Sequence, residues 1–243
     1  MKKTICKIFS FVFVLWLIST VTSTTVFATE VKYAIKPQFD CVGSFYEGLA
    51  EIYVGADVNG EGGKWQFINR TGKIVIDPQV DEVYDFREGL AVFKVGGKYG
   101  FIDKTGEIII KAQFDCAWNF SEGLAGVKIG DKWGYINKTG EIVIKPKFDE
   151  VNNFSEGLAR IIINDGGKYG FIDRNGKTII GFQFDFADDF SEGLAGVSID
   201  GKYGFINQIG KIVINPQFDH VGYFSEELEI GRAHVWTPVT IVI

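Results

Sequence analysis

The chain is poor in the residues that carry chemistry. It holds 2 histidines, 3 cysteines and 1 methionine in 243 residues. Hydrolysis by a serine, histidine and aspartate set needs an imidazole to move the proton, and only His220 and His234 could supply one. Zinc sites need Cys and His at short fixed spacings. No such cluster occurs, so no metal and no cofactor is expected. Cationic clusters are also missing. Lys and Arg total 25 against 31 Asp and Glu, for a net charge of −6 and a pI near 5.1. Nucleic acids are held by clustered cations that neutralise phosphates. The lysines here are scattered one or two at a time beside acids, which reads as a solvated face and argues against a nucleic-acid partner. Finally, no apolar run approaches the roughly 20 residues that span a bilayer.

The apolar run that does exist is short, from Ile8 to Ile18, and it follows Lys2, Lys3 and Lys7. Val26 and Ala28 are small residues suited to the positions before a cleavage site. Residues 1–28 therefore read as a secretory signal peptide cut near Thr29, with an uncleaved anchor as the alternative. Cleavage would leave no membrane span, and the protein is expected to be secreted or held at the cell surface. No Cys follows the apolar run, so lipid attachment is not indicated. Export permits disulfides, but Cys41 and Cys116 each follow a Phe-Asp pair and occupy one repeat position two units apart. That separation should exceed the roughly 7 Å Cα limit for a bridge, so two small, half-buried thiols are expected.

What is abundant is glycine, at 30 residues, with 15% aromatics and 46% hydrophobics. These residues are periodic. An anchor Phe falls at Phe45, Phe86, Phe120, Phe154, Phe190 and Phe224, in steps of 41, 34, 34, 36 and 34 residues. The aromatic after a lysine falls at Trp65, Tyr99, Trp133, Tyr169 and Tyr203. The longer steps hold extra loops at Asp57–Gly63 and Asn164–Gly167. Self-similarity at this period marks a repeat array. Within one unit, Leu124–Ile129, Trp133–Asn137 and Glu141–Phe148 read as strands of about five to eight residues separated by Gly, Asn and Asp. The prediction is an all-β fold of tandem three-stranded antiparallel units of ~34 residues, stacked in an open, elongated array. A closed, propeller-like toroid is the alternative; a propeller blade has about four strands, which favours the open stack.

Local signals fill in the unit. The second turn runs Asx-x-x-Gly, as in Asn69-Arg70-Thr71-Gly72 and Asn137-Lys138-Thr139-Gly140. It predicts a type I turn closed by a left-handed glycine, with the Asx side chain bonding the backbone two residues on. Gly100, Gly134, Gly170 and Gly204 interrupt a strand, which calls for close backbone approach or a neighbouring aromatic over the bare Cα. Gln66 breaks that rule in the first unit. Pro37, Pro78, Pro146 and Pro216 near the end of the last strand predict a sheet edge or a bulge.

Taken together, KWGYINKTGEIVIKPKFDEV and the recurring Phe-Ser-Glu-Gly-Leu-Ala element resemble the WG-repeat family, across residues 31–229. The resemblance implies an all-β repeat array with an interaction role and no transferable catalytic residues. Gln66, and Glu227 where glycine is usual, depart from its pattern. Beyond Glu229 the pattern stops. Residues 230–243, beginning IGRAHVWTPVT, resemble a translated sequencing adaptor, and the natural chain is expected to continue past residue 229.

Three candidate sites remain. Glu47, Glu88, Glu122, Glu156, Glu192 and Glu226 could form acid pairs, but such pairs need two unlike environments. Six copies in one setting read instead as acceptors of backbone N–H groups. The insert Asp57-Val58-Asn59-Gly60-Glu61-Gly62 echoes a calcium loop without its twelfth-position glutamate, where Ile68 stands, and reads as a hairpin extension. The variable pairs of each long loop are the third. The expected contacts are Tyr84, Asp85, Trp118, Asn119, Asn152, Asn153, Asp188, Asp189 and Tyr223, aligned by stacking on one face that could grip a sugar or peptide. The chain is thus expected to be a non-enzymatic binding or structural module whose partner is a protein, a cell-surface glycan or a cell-wall polymer. The alternatives are a carbohydrate- or cell-wall-binding module of a larger protein and, less favoured, an enzyme within the repeats. One 34-residue unit expressed alone should show no cooperative melting transition by calorimetry, since its apolar faces need neighbours.

Overall fold

The computed structural model describes residues 35–57, 59–60, 62–163 and 167–222. The signal peptide, the tail from residue 230, Tyr223, Glu226, Glu227, Asn164 to Gly166, Val58 and Glu61 lie outside them. The described residues form five antiparallel sheets of four strands each, in simple up-and-down order, and contain no helix. No strand pair links one sheet to another, so the sheets are not closed into a barrel.

The all-β repeat stands, with one strand more per unit than the sequence pattern suggested. In the third unit the strands are Cys116–Ala117, Leu124–Ile129, Lys132–Asn137 and Ile142–Phe148. The extra strand is the first, drawn from the supposed long loop. It is two residues long here and in the fifth unit, and six in the second and fourth. The two-residue strands carry no alternation to read, and the six-residue ones are interrupted by a bulge between Val83 and Phe86 and between Val151 and Phe154. The chain enters the second strand through a two-residue turn, closed by the Ser121–Leu124 bridge, in which Glu122 has φ 51° and Gly123 has φ 78°. Positive φ at both central residues is the hairpin geometry that matches strand twist. A glutamate there is unusual, and Glu47, Glu88, Glu156 and Glu192 share it.

The Asx-x-x-Gly turn forms as expected. Asp103 Oδ1 accepts from Thr105 N at 2.8 Å and from Glu107 N at 2.9 Å, and Gly106 is left-handed. The insert near Asp57 is a hairpin extension: Asn59 N donates to Asp57 Oδ1 at 2.8 Å. Cys41 and Cys116 are half-buried and form no disulfide.

The strand glycines have a mechanical cause. A Cβ on Gly100 would lie 2.5 Å from Ile110 O, and one on Gly134 would lie 2.7 Å from Pro146 N. The backbone of the fourth strand crosses the bare Cα of the third. There the pairing slips, from Trp133↔Phe148 to Tyr135↔Ile144. The same bulge occurs where Ala112 and Phe182 replace proline, so the close approach sets it and the proline only tolerates it. The fourth strand is also a sheet edge, so both readings of the prolines hold. In the first unit Gln66 occupies the glycine position. Its fourth strand stops after Ile74–Ile76, while the others run seven residues, and Gln66 Oε1 is buried without a partner.

Successive sheets pack face to face through the anchor phenylalanines. Phe86, Phe120, Phe154 and Phe190 each meet the third-strand aromatic of the preceding unit, Phe67, Phe101, Tyr135 and Phe171, at ring distances of 4.8 Å. Those four phenylalanines are 1–2% exposed.

Gly134→Ala should destabilise the array by about 1–3 kcal/mol, because overpacking against backbone outweighs the ~0.5–1 kcal/mol that Ala gains over Gly in a strand. Gln66→Gly should extend the first unit's fourth strand, read as slowed amide exchange at Gln79 and Val80.

Candidate functional site

Among the described residues, the variable pair lies within the first strand of its sheet in the second and fourth units, and directly follows the two-residue first strand in the first, third and fifth, where it still bonds to the second strand. Trp118 N donates to Gly126 O and Asp188 N to Gly196 O, both at 2.8 Å. The side chains divide into three settings. In the second unit the Tyr84 hydroxyl donates to Glu82 Oε2 at 2.8 Å and its ring lies 6.4 Å from Tyr99. Burial and the Glu82 carboxylate raise its ionisation well above the usual phenol range. In the third unit Trp118 stacks on Trp133 with centroids 5.5 Å apart and planes 7° apart. Trp133 is 7% exposed while Trp118 is 43% exposed, so a buried ring holds an accessible one in place. Asn119 Oδ1 is buried without a hydrogen-bond partner.

In the fourth and fifth units the pair residues meet across the boundary. Asn152 Nδ2 donates to Asp189 Oδ1 at 3.3 Å, and Arg160 Nε lies 3.4 Å from the same oxygen. The Arg160 guanidinium donates to Ala187 O and rests 5.5 Å from the Tyr169 ring and 5.7 Å from Phe186. Asn153 is exposed and makes no comparable contact, and Asp188 lies over Gly196. Burial lifts the Asp188 carboxyl above the usual range against the pull of Arg160. Beside Arg160 and Asn152 is a shallow cleft of about 50 Å³ that also takes in Glu150 and Tyr169. That holds a water or two and is far below the ~300 Å³ at which small-molecule pockets begin.

Glu51 and Arg160 were not singled out from the sequence. They occupy the third position of the Leu-Ala-x element, held elsewhere by Val92, Gly126 and Gly196. That side chain faces the next unit, and its variation was the available signal. Glu51 lies against Asp85 at the first boundary. Its carboxyl is raised to about 7, chiefly by burial and then by the Asp85 charge. A second missed feature is an apolar row on the outer strands. Ile74 and Val75, Ile108 and Ile109, Ile142 and Val143, and Ile212 and Val213 are each 41–53% exposed.

The recurring glutamates accept backbone N–H groups, and they do so across unit boundaries. Glu47, Glu88, Glu122 and Glu156 accept from Gly89, Gly123, Gly157 and Gly193 of the following unit at 2.9–3.0 Å. Lys104 and Lys138 of the following unit's Asx turn pair with Glu47 and Glu88 at 2.9 and 3.1 Å. Arg174 instead donates to Glu122 O at 2.5 Å. Burial raises the Glu47 and Glu88 carboxyls, but lysine and backbone donors outweigh it and leave both below the ordinary value. At the opposite end, Lys98 and Lys202 pair with Asp115 and Asp219 of the next unit at 2.5 and 2.6 Å, and Lys132 and Lys168 pair likewise with Asp149 and Asp185. The lysines expected only to solvate a face thus also fasten units together. His220 is exposed, 5.8 Å from the Tyr203 ring. Among the described residues no group of three His, Cys, Asp or Glu is placed to hold a metal ion.

The family model described as WG containing repeat matches six segments: 32–65, 65–99, 99–133, 133–166, 169–203 and 203–228. No curated protein matches the chain. Among solved structures, it is similar to Hsv2 of Kluyveromyces lactis at 12% identity and a TM-score of 0.45, over 69% of this chain and 58% of that one. A eukaryotic initiation factor is similar at 14% identity and 0.45, over 70% of this chain and 53% of that one. A protein of unknown function from Bacteroides caccae is similar at 17% identity and 0.34, over 67% and 71%. The chain thus spans little more than half the length of the first two, and likenesses this distant say nothing about function.

The two kinds of carboxyl make opposite pH predictions. Glu47 and Glu88, lowered when folded, stabilise fully above the unfolded value of 4.5 and lose that contribution as pH falls through their lower folded values. Glu51, raised when folded, costs stability as pH climbs from 4.5 through about 7. Melting temperature should therefore fall below pH 4.5. At pH ~8, Glu51→Gln should raise it by about 2–4 °C, from ~1 kcal/mol after discounting for solvent screening, with little change at pH ~4.

Proposed function

We infer the function from one premise: the chain belongs to the WG containing repeat family. The reading best supported is a non-catalytic binding or structural module, exported and displayed outside the cell, that presents repeated edge strands to a protein or surface partner. The observation that carries it is the row of exposed Ile and Val at the start of successive outer strands. Apolar side chains repeated on the units of an array, beside unpaired backbone groups of an edge strand, suit a large and extended partner. The carboxylates that could have served hydrolysis support the same reading, since four of the recurring glutamates are engaged at unit boundaries.

A second reading has its own support. Trp118, held on Trp133 and accessible directly after the edge strand, is the kind of rigid aromatic on which a sugar ring stacks, with Tyr84 one unit away. It would make the chain a carbohydrate- or cell-wall-binding module of a larger protein.

One experiment separates the two. The mature protein is tested for retention on insoluble cell-wall polymer and for capture of a protein partner from the cell surface. Changing Ile108 and Ile142 to Thr should weaken protein capture about tenfold or more and spare the polymer. Changing Tyr84 and Trp118 to Ala should do the reverse. Polymer retention unaffected by the Tyr84 and Trp118 changes removes the second reading, and protein capture unaffected by the Ile changes removes the first.

A further inference from the structure

The first unit carries half of an interface. Ile76, Ile110, Ile144 and Ile180 each lie on a fourth strand and pack against the turn glycine of the following unit, Gly106, Gly140, Gly176 and Gly210. Ile35 makes the same contact with Gly72. Phe39, four residues on, packs with Ile35 against Ala50, Ile52 and Ile68, as Phe148 and Ile144 pack in the third unit's cluster. Residues 35–39 therefore occupy the place of a fourth strand ahead of the first unit. They pair with no third strand among the described residues.

Three other positions register the same missing element. Phe45 is 36% exposed, whereas the equivalent Phe86, Phe120, Phe154 and Phe190 are buried against a preceding third-strand aromatic. Arg70 sits where Lys104, Lys138 and Arg174 reach the preceding unit's glutamate. Its guanidinium lies over the Phe45 ring at 5.7 Å. Asp40 sits where Asp115 and Asp219 accept a lysine from the preceding third strand.

We propose that this face docks the first three strands of a further WG-type unit, whose third strand pairs with residues 35–39 and completes a four-stranded sheet. The chemistry of that strand is dictated position by position. Lysine is required opposite Asp40. Glycine is required where the backbone from Ile35 to Pro37 crosses, because a Cβ there meets fourth-strand backbone in the other units. An aromatic must follow the glycine to cover Phe45. A glutamate in the partner's two-residue turn would take Arg70 from the Phe45 ring. A second copy of residues 35–222 does not fit, because its five third strands are already paired with their own fourth strands. The proposal rests on repeat geometry alone, so it stands or falls independently of the function proposed above.

The test supplies the missing strands. A copy of the Cys116–Thr139 sequence is fused after Glu229 through a flexible linker, which sets an effective concentration of about millimolar. Amide exchange at residues 35, 36, 38 and 39 should slow by roughly tenfold or more. Phe45→Ala in the host should reverse most of that protection. A fused copy carrying Gly134→Val should give none. Absence of protection with the unaltered copy overturns the proposal, and so does equal protection with the valine copy. Concentration-dependent protection of the unfused protein would also overturn it, by showing that a second copy is the occupant.

Discussion

Everything in this array depends on covering the two faces of each sheet. The contact that does so is the ring pair at every boundary, an anchor phenylalanine of one unit against the third-strand aromatic of the unit before it, at 4.8 Å. Aromatic pairs of this geometry are worth about 0.5–1.5 kcal/mol beyond the area they bury. Each pair has a glutamate clasped onto a glycine N–H at one end of the sheet, and all but the first, where Lys64 bonds Gln79, have an aspartate onto a lysine at the other. The clasps are partly exposed, and such pairs contribute little individually. Their role is register. They admit the next unit in one orientation, while the rings and aliphatic side chains between them supply the burial.

The clasp also accounts for the unusual turn. Asparagine or glycine would suit a positive φ better than glutamate does. Yet neither carries a carboxylate that reaches the next unit's N–H. The strain at Glu88 or Glu122 is accepted because the same side chain bridges a boundary. Local preference loses to a tertiary contact, and the sequence records the compromise as an invariant Glu-Gly in five successive units.

The variable positions follow the inverse logic. Where the scaffold imposes nothing, side chains differ from unit to unit, and these are the positions at exposed strand edges. Trp118, Tyr84 and Asp188 project from equivalent places with unlike chemistry. Among the described residues, a surface built this way offers a series of small, different contacts along its length.

Much of this was legible in the residues alone. The period, the strand class, the Asx turns, the tight glycines and the edge prolines are each set by local chemistry, because φ, donors and side-chain volume act within a few residues. The recurring glutamates could be read as backbone acceptors for the same reason. The first strand of each unit could not be read, since Cys116–Ala117 is too short to alternate and the longer Glu82–Arg87 and Glu150–Ser155 are interrupted by a bulge. Nor could the partner of each glutamate, the lysine to aspartate pairs, or the meeting of Arg160 with Asp189. Those link residues 17–57 positions apart, as unit stacking dictates. What each unit is follows from its own residues. What each unit touches emerges on folding, because the stagger of one sheet on the next is fixed by the fit of side chains that lie far apart along the chain.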